Sequence, residues 1–186
     1  MRSEDGDKTD ACLDGRFLIG DQASFDRLVV RHQDSVHRFF CRSTGIDVAE
    51  DLAQETFLEV YRSIASWQRQ SSFRTWLFAV ARNVGRRHLR DRMSRPKTHA
   101  DEMVVAIADP GHGPLQRLDD GDRNAALLNA ITRLPWEQRV AIALRAWEGM
   151  SYDQIAGITG VPKGTVRSRL HNARQTLAKA IREEPR

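Results

Sequence analysis

The chain has 186 residues and a formal net charge of +4, from 29 Lys or Arg and 25 Asp or Glu residues, a length that accommodates one ordinary domain or two small ones. Two cysteines are too few for a disulfide framework. No stretch approaches the ~20 apolar residues of a membrane-spanning helix, and the polar N-terminus lacks a signal-peptide pattern. We therefore expect a cytoplasmic protein without membrane insertion.

The first half of the chain predicts three amphipathic helices. Residues 1–20 are acidic and polar and are expected to form a flexible arm. Apolar residues then recur at helical spacing over Phe25–Phe40, up to a predicted helix stop at Thr44-Gly45. The same spacing occurs over Ala49–Ile64 and Phe73–Leu89, with a polar loop at Ser66–Ser72. Three such helices can share one core, which predicts an N-terminal domain over residues 21–96.

The charges of this half are segregated. Residues 47–60 carry five acidic side chains and no Lys or Arg, whereas residues 86–97 carry six basic side chains against Asp91 alone. With a further basic segment near the C-terminus, this pattern predicts at least two kinds of partner.

A linker is predicted over residues 97–122. Acidic residues outnumber basic ones six to one between Asp101 and Asp122, and Pro110, Gly111, Gly113 and Pro114 interrupt the periodicity.

The C-terminal domain, over residues 123–186, is predicted to end in a helix-turn-helix. Helical spacing returns at Ala125, breaks at Pro135 and resumes as far as Trp147. Ser151 and Gln154 have capping-box spacing, and Pro162 marks the start of a second helix. That helix has an apolar stripe, and residues 162–182 carry six Lys or Arg and no acidic residue. A basic helix face beside a turn favours insertion into the DNA major groove, and the alternative is a solvated basic helix.

No strand pattern of useful length occurs, so the predicted fold class is all-α, with two small helical domains joined by a flexible acidic linker. Catalysis is not predicted, because we find no phosphate-binding glycine loop and no nucleophile and base at a convincing spacing. His37 and Cys41 are four residues apart, but further metal ligands are not evident. We predict no metal, no cofactor and no catalytic residue.

Four motifs in this order resemble the extracytoplasmic-function sigma factors, which are small bacterial transcription initiation factors. The motifs are Asp51-Leu52-Ala53-Gln54-Glu55-Thr56-Phe57, Ser72-Phe73-Arg74-Thr75-Trp76-Leu77-Phe78-Ala79-Val80-Ala81-Arg82-Asn83, Leu134-Pro135 and Gly164-Thr165-Val166-Arg167-Ser168-Arg169-Leu170. The resemblance implies an alternative sigma factor that binds core RNA polymerase, directs it to −10 and −35 promoter elements and assists DNA melting. It also implies contacts with the clamp of the largest polymerase subunit and the flap of the second-largest, and regulation by an anti-sigma factor.

By this resemblance, three sets of residues form the contact surfaces. Those expected to bind polymerase are Asp51, Gln54, Glu55, Phe57 and Leu58. Those expected at the −10 element, where a loop from Trp67 to Ser72 captures a flipped base, are Trp67, Ser71, Ser72, Arg74, Arg82, Asn83, Arg86, Arg87 and Arg90. Those expected at the −35 element are Arg145, Lys163, Thr165, Arg167, Ser168, His171 and Arg174.

Several alternatives stay open at this point. By composition alone the acidic face could be a solvated surface, Trp67 could belong to the core, and Arg169 could be a structural residue that faces its own domain. Arg87 and Asn172 depart from the residues common in the family, so a relative's promoter sequence cannot be transferred. The competing functions are a stand-alone helix-turn-helix regulator and a sigma-like decoy that sequesters an anti-sigma factor.

Overall fold

A computed structural model describes residues 22–94 and 130–183. The described parts contain helices and their connections and no strand, which confirms the predicted all-α class. The proposed arm (1–20) and the linker (97–122) lie outside the described residues, and so does most of the helix predicted from Ala125.

Three helices build the N-terminal part: α1 spans Gln22–Ser43, α2 spans Ala49–Ser63 and α3 spans Phe73–Ser94. A short 3-10 turn at Ile46–Val48 connects α1 to α2, and the preceding Gly45 has a φ of 122°. Since only glycine adopts such a backbone readily, Gly45 ends α1 where the Thr44-Gly45 stop was predicted.

The core between these helices is aromatic and aliphatic. Phe39 packs edge to face against Phe40 and Phe78 at centroid distances of 5.3 and 5.5 Å. Leu28, Val36 and Leu77 are fully buried beside them. The predicted apolar stripes therefore meet in one core, because each helix has only one face to bury.

The C-terminal part contains α4 (Trp136–Ile142), α5 (Tyr152–Thr159) and α6 (Lys163–Glu183). Pro135 directly precedes α4, and residues Ala143–Trp147 continue it as a π-helix. Apolar side chains of α4, α5 and α6 close the core of this part, and those buried from α6 are Val166, Leu170, Ala173 and Leu177.

The helix-turn-helix has the predicted local chemistry. Gln154 N donates to Ser151 Oγ at 3.2 Å and Ser151 N donates to Gln154 Oε1 at 2.8 Å, so the capping box at the start of α5 is complete. Gly160 ends α5 in the left-handed conformation with φ 66°, and α6 begins directly after Pro162. This turn orients α6 so that its apolar stripe is buried and its basic face is exposed.

Candidate nucleic-acid interface

An exposed basic surface lies on α6. Arg167, Ser168, His171 and Arg174 are all exposed, outside the buried apolar stripe of the helix. Lys163 is also exposed and pairs with Asp153 at 2.8 Å, while Thr165 is half-buried. Side chains of this type on one exposed helix face can contact phosphates and base edges together.

Arg145 lies beside this surface, in the π-helical segment. It donates a hydrogen bond to the Met150 carbonyl at 2.8 Å, and its guanidinium lies 5.4 Å from the centroid of the Tyr152 ring. These contacts hold Arg145 against the turn that precedes α5 and leave it exposed near Arg174.

Arg169 differs from the other arginines of α6. Its side chain is 22% exposed and donates to Glu137 of α4 at 2.9 Å. The arrangement favours the interpretation that Arg169 is a structural residue, since its guanidinium is directed toward its own domain.

The loop from Trp67 to Ser72 combines an exposed segment with an aromatic base. Trp67 stacks on Trp76 at 5.3 Å with an interplanar angle of 18°, and it meets Phe73 edge to face at 5.9 Å. Trp67 is half-buried, and its indole Nε1 is buried without a hydrogen-bond partner in the described part of the chain. Trp67 thus packs on the core, and the residues that follow it, 68–71, are exposed.

Ser72 and the residues that follow begin α3. Ser72 Oγ accepts from Thr75 N at 3.3 Å and lies 3.1 Å from Thr75 Oγ1, which caps the helix. Ser71 is exposed in the loop before it. A serine that caps a helix is held in place, so Ser72 has a structural role whether or not it also contacts DNA.

A basic track runs along α3. Asn83, Arg86 and Arg90 are exposed along it. Arg87 is half-exposed and pairs with Glu55 of α2 at 2.5 Å, and this hydrogen bond raises the pKa of Arg87 above its ordinary value. Arg87 thus connects the basic track to the acidic helix.

Two arginines predicted for the −10 element are held by the C-terminal part. Arg82 is 7% exposed and donates to Glu137 at 2.8 Å. Arg74 donates to Glu148, at 2.9 Å to its carbonyl and at 2.5 Å to its carboxylate. Sequence reasoning missed both glutamates, because pairing across two domains leaves no spacing signal in the chain.

The acidic face lies on α2. Asp51 and Gln54 are exposed, Glu55 is half-exposed, and Leu58 is 57% exposed. Phe57 instead is 9% exposed and belongs to the core. Its aromatic ring therefore stabilises the helix that carries the face, and the face itself consists of the other four residues.

Tyr61 extends this face and was missed by the sequence reasoning. It is 49% exposed, one turn beyond Leu58, and its ring packs edge to face on Phe25 at 5.2 Å. The i, i+3 spacing from Leu58 could have indicated it. Together Leu58 and Tyr61 give the acidic face an apolar patch.

Among the described residues no group of three or more His, Cys, Asp or Glu side chains is arranged to hold a metal ion. Cys41 is buried, with its Sγ 3.7 Å from Nδ1 of His37. In the same part of the chain, no helix is long and apolar enough to cross a membrane.

Comparison with known proteins identifies two family regions in the chain. The family Sigma-70 region 2 matches residues 28–95, and Sigma-70, region 4 matches residues 124–177. The first match covers most of α1 and all of α2 and α3, and the second covers α4, α5 and most of α6.

Curated relatives match over nearly the full length. The chain is 33% identical to the ECF RNA polymerase sigma-E factor of Escherichia coli K12 over 176 residues, which cover 91% of this chain and 92% of the relative. It is also 33% identical to the RNA polymerase sigma-H factor of Pseudomonas aeruginosa, with 89% and 90% covered.

Solved structures share the fold. A sigma factor RpoE from Bartonella quintana, in complex with the anti-sigma factor NepR, has a TM-score of 0.71 and 26% identity, and the match covers 87% of this chain and 98% of that chain. CnrH, in complex with the cytosolic domain of CnrY, has a TM-score of 0.71 and 23% identity, with 95% and 99% covered.

Proposed function

Since the chain belongs to the extracytoplasmic-function RNA polymerase sigma factors, we propose specific roles for three of its surfaces in transcription initiation. As an alternative sigma factor, the protein binds core RNA polymerase and directs it to promoters. The acidic face on α2 docks on polymerase, the loop and basic track of α3 bind the −10 element, and α6 binds the −35 element. The proposed division places one domain, near residues 21–96, at −10 and the other, near 123–186, at −35.

One observation carries the assignment of α6: its Arg167, Ser168 and His171 are exposed together, while its apolar stripe is buried. A capped helix and a glycine turn precede it. This is the arrangement of a recognition helix, in which the N-terminal residues reach base edges. We assign Arg167 to a bidentate guanine contact. We assign Lys163, Arg145 and Arg174 to contacts with phosphates.

The −10 assignment follows from the need to hold unstacked bases. Single strands bind where aromatic rings and positive charge lie together. The stacked pair Trp67 and Trp76 flanks the exposed residues 68–71 in the chain, and Asn83, Arg86 and Arg90 are exposed farther along α3. Each phosphate contact made by this track contributes to the salt dependence of binding.

The polymerase assignment follows from the combination of charge and exposed apolar surface on α2. Asp51, Gln54 and Glu55 lie on the same helix face as Leu58, which remains 57% exposed. An apolar patch rimmed by polar residues is typical of a protein–protein interaction site. We propose that the acidic face contacts the clamp of the largest polymerase subunit. The C-terminal domain would contact the flap of the second-largest subunit.

We further propose that the protein performs no chemistry of its own, works in the cytoplasm and is held inactive by an anti-sigma protein. In its solved structure, the sigma factor RpoE is bound to the anti-sigma factor NepR. CnrH is bound to the cytosolic domain of CnrY. A competition assay tests this proposal: the partner should displace the sigma factor from core polymerase.

The first experiment is run-off transcription with sigma-free core polymerase and DNA fragments from the source genome. Promoter-specific transcripts are expected with the wild type and should vanish when Asp51→Lys and Glu55→Lys are combined. A control with the same charge change is Asp26→Lys with Asp34→Lys, because both are exposed on α1. The control should transcribe as the wild type does.

The other outcomes separate the competing functions. Core binding without any transcript would favour the decoy, whereas duplex DNA binding without core binding would favour the stand-alone regulator. If the acidic-face variant and its control lose transcription equally, the docking assignment is wrong.

A further inference from the structure

One arginine of α3 pairs with the acidic face of α2. Arg86 and Arg87 are consecutive, so their side chains leave the helix about 100° apart. Arg86 is exposed, whereas Nη2 of Arg87 donates to Oε1 of Glu55 at 2.5 Å. In this pair 42% of the Arg87 side chain and 44% of the Glu55 side chain are exposed. The two arginines therefore have different surroundings, although the sequence predicts both at the −10 element.

Carboxylates lie on both sides of Arg87. The hydrogen bond with Glu55 raises the pKa of Arg87 above its ordinary value, and the negative charges of Glu59 and Asp91 raise it further. Asp91 lies one turn beyond Arg87 on α3, and Glu59 lies one turn beyond Glu55 on α2. A guanidinium that already donates to a carboxylate has fewer donors for a DNA phosphate, and the nearby carboxylates repel that phosphate. These surroundings disfavour Arg87 as a phosphate contact.

The acidic helix requires a cation at this place. Asp51, Glu55 and Glu59 follow one another at intervals of four residues, and like charges at this spacing destabilise a helix. Glu59 pairs with Arg62 of its own helix at 4.0 Å. Within the described residues, Glu55 is paired with Arg87 alone. An arginine from the neighbouring helix thus offsets the repulsion in the middle of the row.

This pair leaves half of the Glu55 carboxylate available. Arg87 donates to Oε1, and Oε2 accepts no hydrogen bond from the part of the chain that the structure describes. A carboxylate accepts through both oxygens, so a donor of a second protein can bind Oε2 while Arg87 holds Oε1. A side chain that is held before binding loses less conformational freedom on binding, and association is stronger for that reason.

We propose that Arg87 is a positioning residue of the polymerase-docking surface, which holds Glu55 so that its second oxygen accepts a donor from a Lys or Arg of the polymerase, and that Arg87 makes no contact with the −10 element. The proposal rests on the docking assignment of the acidic face made above. It moves one arginine of the predicted −10 set to the polymerase surface and leaves Asn83, Arg86 and Arg90 at the DNA.

Two equilibria measured with the full chain test this proposal. Fluorescence anisotropy of the labelled chain, titrated with sigma-free core polymerase, gives the Kd for core. The second measurement is binding of a single-stranded oligonucleotide that carries the non-template −10 strand of a promoter mapped by run-off transcription. It uses polymerase saturated with each variant, so that weaker core binding does not change it.

Arg87→Gln should weaken core binding about two- to fivefold, since the coupling in an exposed ion pair is of this size. The −10 strand affinity and its slope of log K against log salt concentration should stay unchanged. Arg86→Gln makes the same charge change one position away and should give the opposite result. Core binding is then unchanged, and the slope for the −10 strand falls by about 0.7, the value for one phosphate of a single strand.

A control with the same charge change is Arg27→Gln, because Arg27 is exposed on α1. It should leave both equilibria unchanged. Thermal unfolding of every variant, with binding measured well below the lowest Tm, separates a loss of contact from a loss of folding.

A double-mutant cycle shows whether Arg87 acts through Glu55. Glu55→Gln alone should weaken core binding, and Arg87→Gln should have no further effect in that background. A general contribution of Arg87 to helix stability, or its own contact with polymerase, would weaken binding in both backgrounds. Arg87→Lys keeps the charge without the planar fork and should restore part of the affinity that Arg87→Gln loses.

Three results would overturn the proposal: additive effects in the cycle, unchanged or tighter core binding by Arg87→Gln, or a lower salt slope of −10 strand binding with that variant. Tighter binding would show that repulsion between Arg87 and a cationic donor outweighs the ordering of Glu55. Failure of the docking assignment gives a different result, because Glu55→Gln itself then leaves core binding unchanged. If only the positioning role is wrong, Glu55→Gln weakens core binding and Arg87→Gln does not.

Discussion

Arg167 and Arg169 lie two positions apart on α6, and their surroundings predict opposite consequences of removing them. Arg167 is exposed, and its guanidinium donates no hydrogen bond to any residue that the structure describes. Arg167→Ala should therefore change the free energy of unfolding by less than about 0.5 kcal/mol. Loss of a bidentate guanine contact should weaken binding to the preferred −35 duplex by about 1–3 kcal/mol, or roughly 5-fold to 150-fold in Kd.

Arg169→Ala should instead affect stability. The Arg169 side chain is 22% exposed, and its loss leaves the Glu137 carboxylate with fewer donors. A hydrogen bond to a charged group contributes about 1.5–3 kcal/mol, and each kcal/mol corresponds to about 4–8 °C in Tm for a domain of this size. Binding to the −35 duplex, measured well below Tm, should change little.

Calorimetry and fluorescence anisotropy on the same two preparations distinguish these roles. The assay uses a −35 duplex with the preferred sequence and a second duplex with the guanine pair exchanged. If Arg169→Ala weakens sequence discrimination more than Arg167→Ala and leaves Tm unchanged, the assignment of α6 surfaces is refuted. Arg167→Ala could instead weaken binding to both duplexes equally and reduce the slope of log K against log salt concentration by about one. In that case Arg167 contacts a phosphate and not a base.

Three further predictions concern folding and the −10 surface. Ser151→Ala removes the acceptor for Gln154 N and should cost about 1 kcal/mol of unfolding free energy, measured by denaturant titration, with Ser168→Ala as an exposed control. Gly160→Ala places a Cβ at φ 66° and should cost about 1–2 kcal/mol, so an unchanged denaturation midpoint would contradict the turn geometry. Asn83→Ala, at an exposed position, should weaken binding of a single-stranded −10 oligonucleotide without changing Tm or binding of the −35 duplex. Fluorescence anisotropy with each of the two DNA probes measures this difference.

Much of the local structure could be predicted from the sequence because its causes lie within a few residues. Helix periodicity predicted α1 to α3, and the Thr44-Gly45 stop and the Ser151 capping box occur where their chemistry requires them. The family motifs also identified the functional class, and nearly full-length relatives confirm it. The proposed domain limits remain predictions, because the arm and linker lie outside the described residues.

Other features could not be predicted from spacing, because burial depends on which helix faces which. Phe57 was assigned to a contact surface, yet the packing of α2 places it in the core. Tyr61 was not predicted as part of this surface. The same packing of α2 leaves it exposed beside Leu58. The open question about Trp67 was decided by its stacking on Trp76, a partner nine residues away.

By itself the sequence determined the all-α class, the helix-turn-helix and the charge of each surface, since periodicity, capping and charge are properties of adjacent residues. Only the tertiary structure decided which charges are available. Arg82, Arg86 and Arg167 are all basic residues that we assign to DNA contacts, but Arg82 alone of the three is enclosed, by Glu137 from 55 residues farther along the chain. A pairing over that separation depends on the docking of one domain against the other, and no local pattern of residues encodes it.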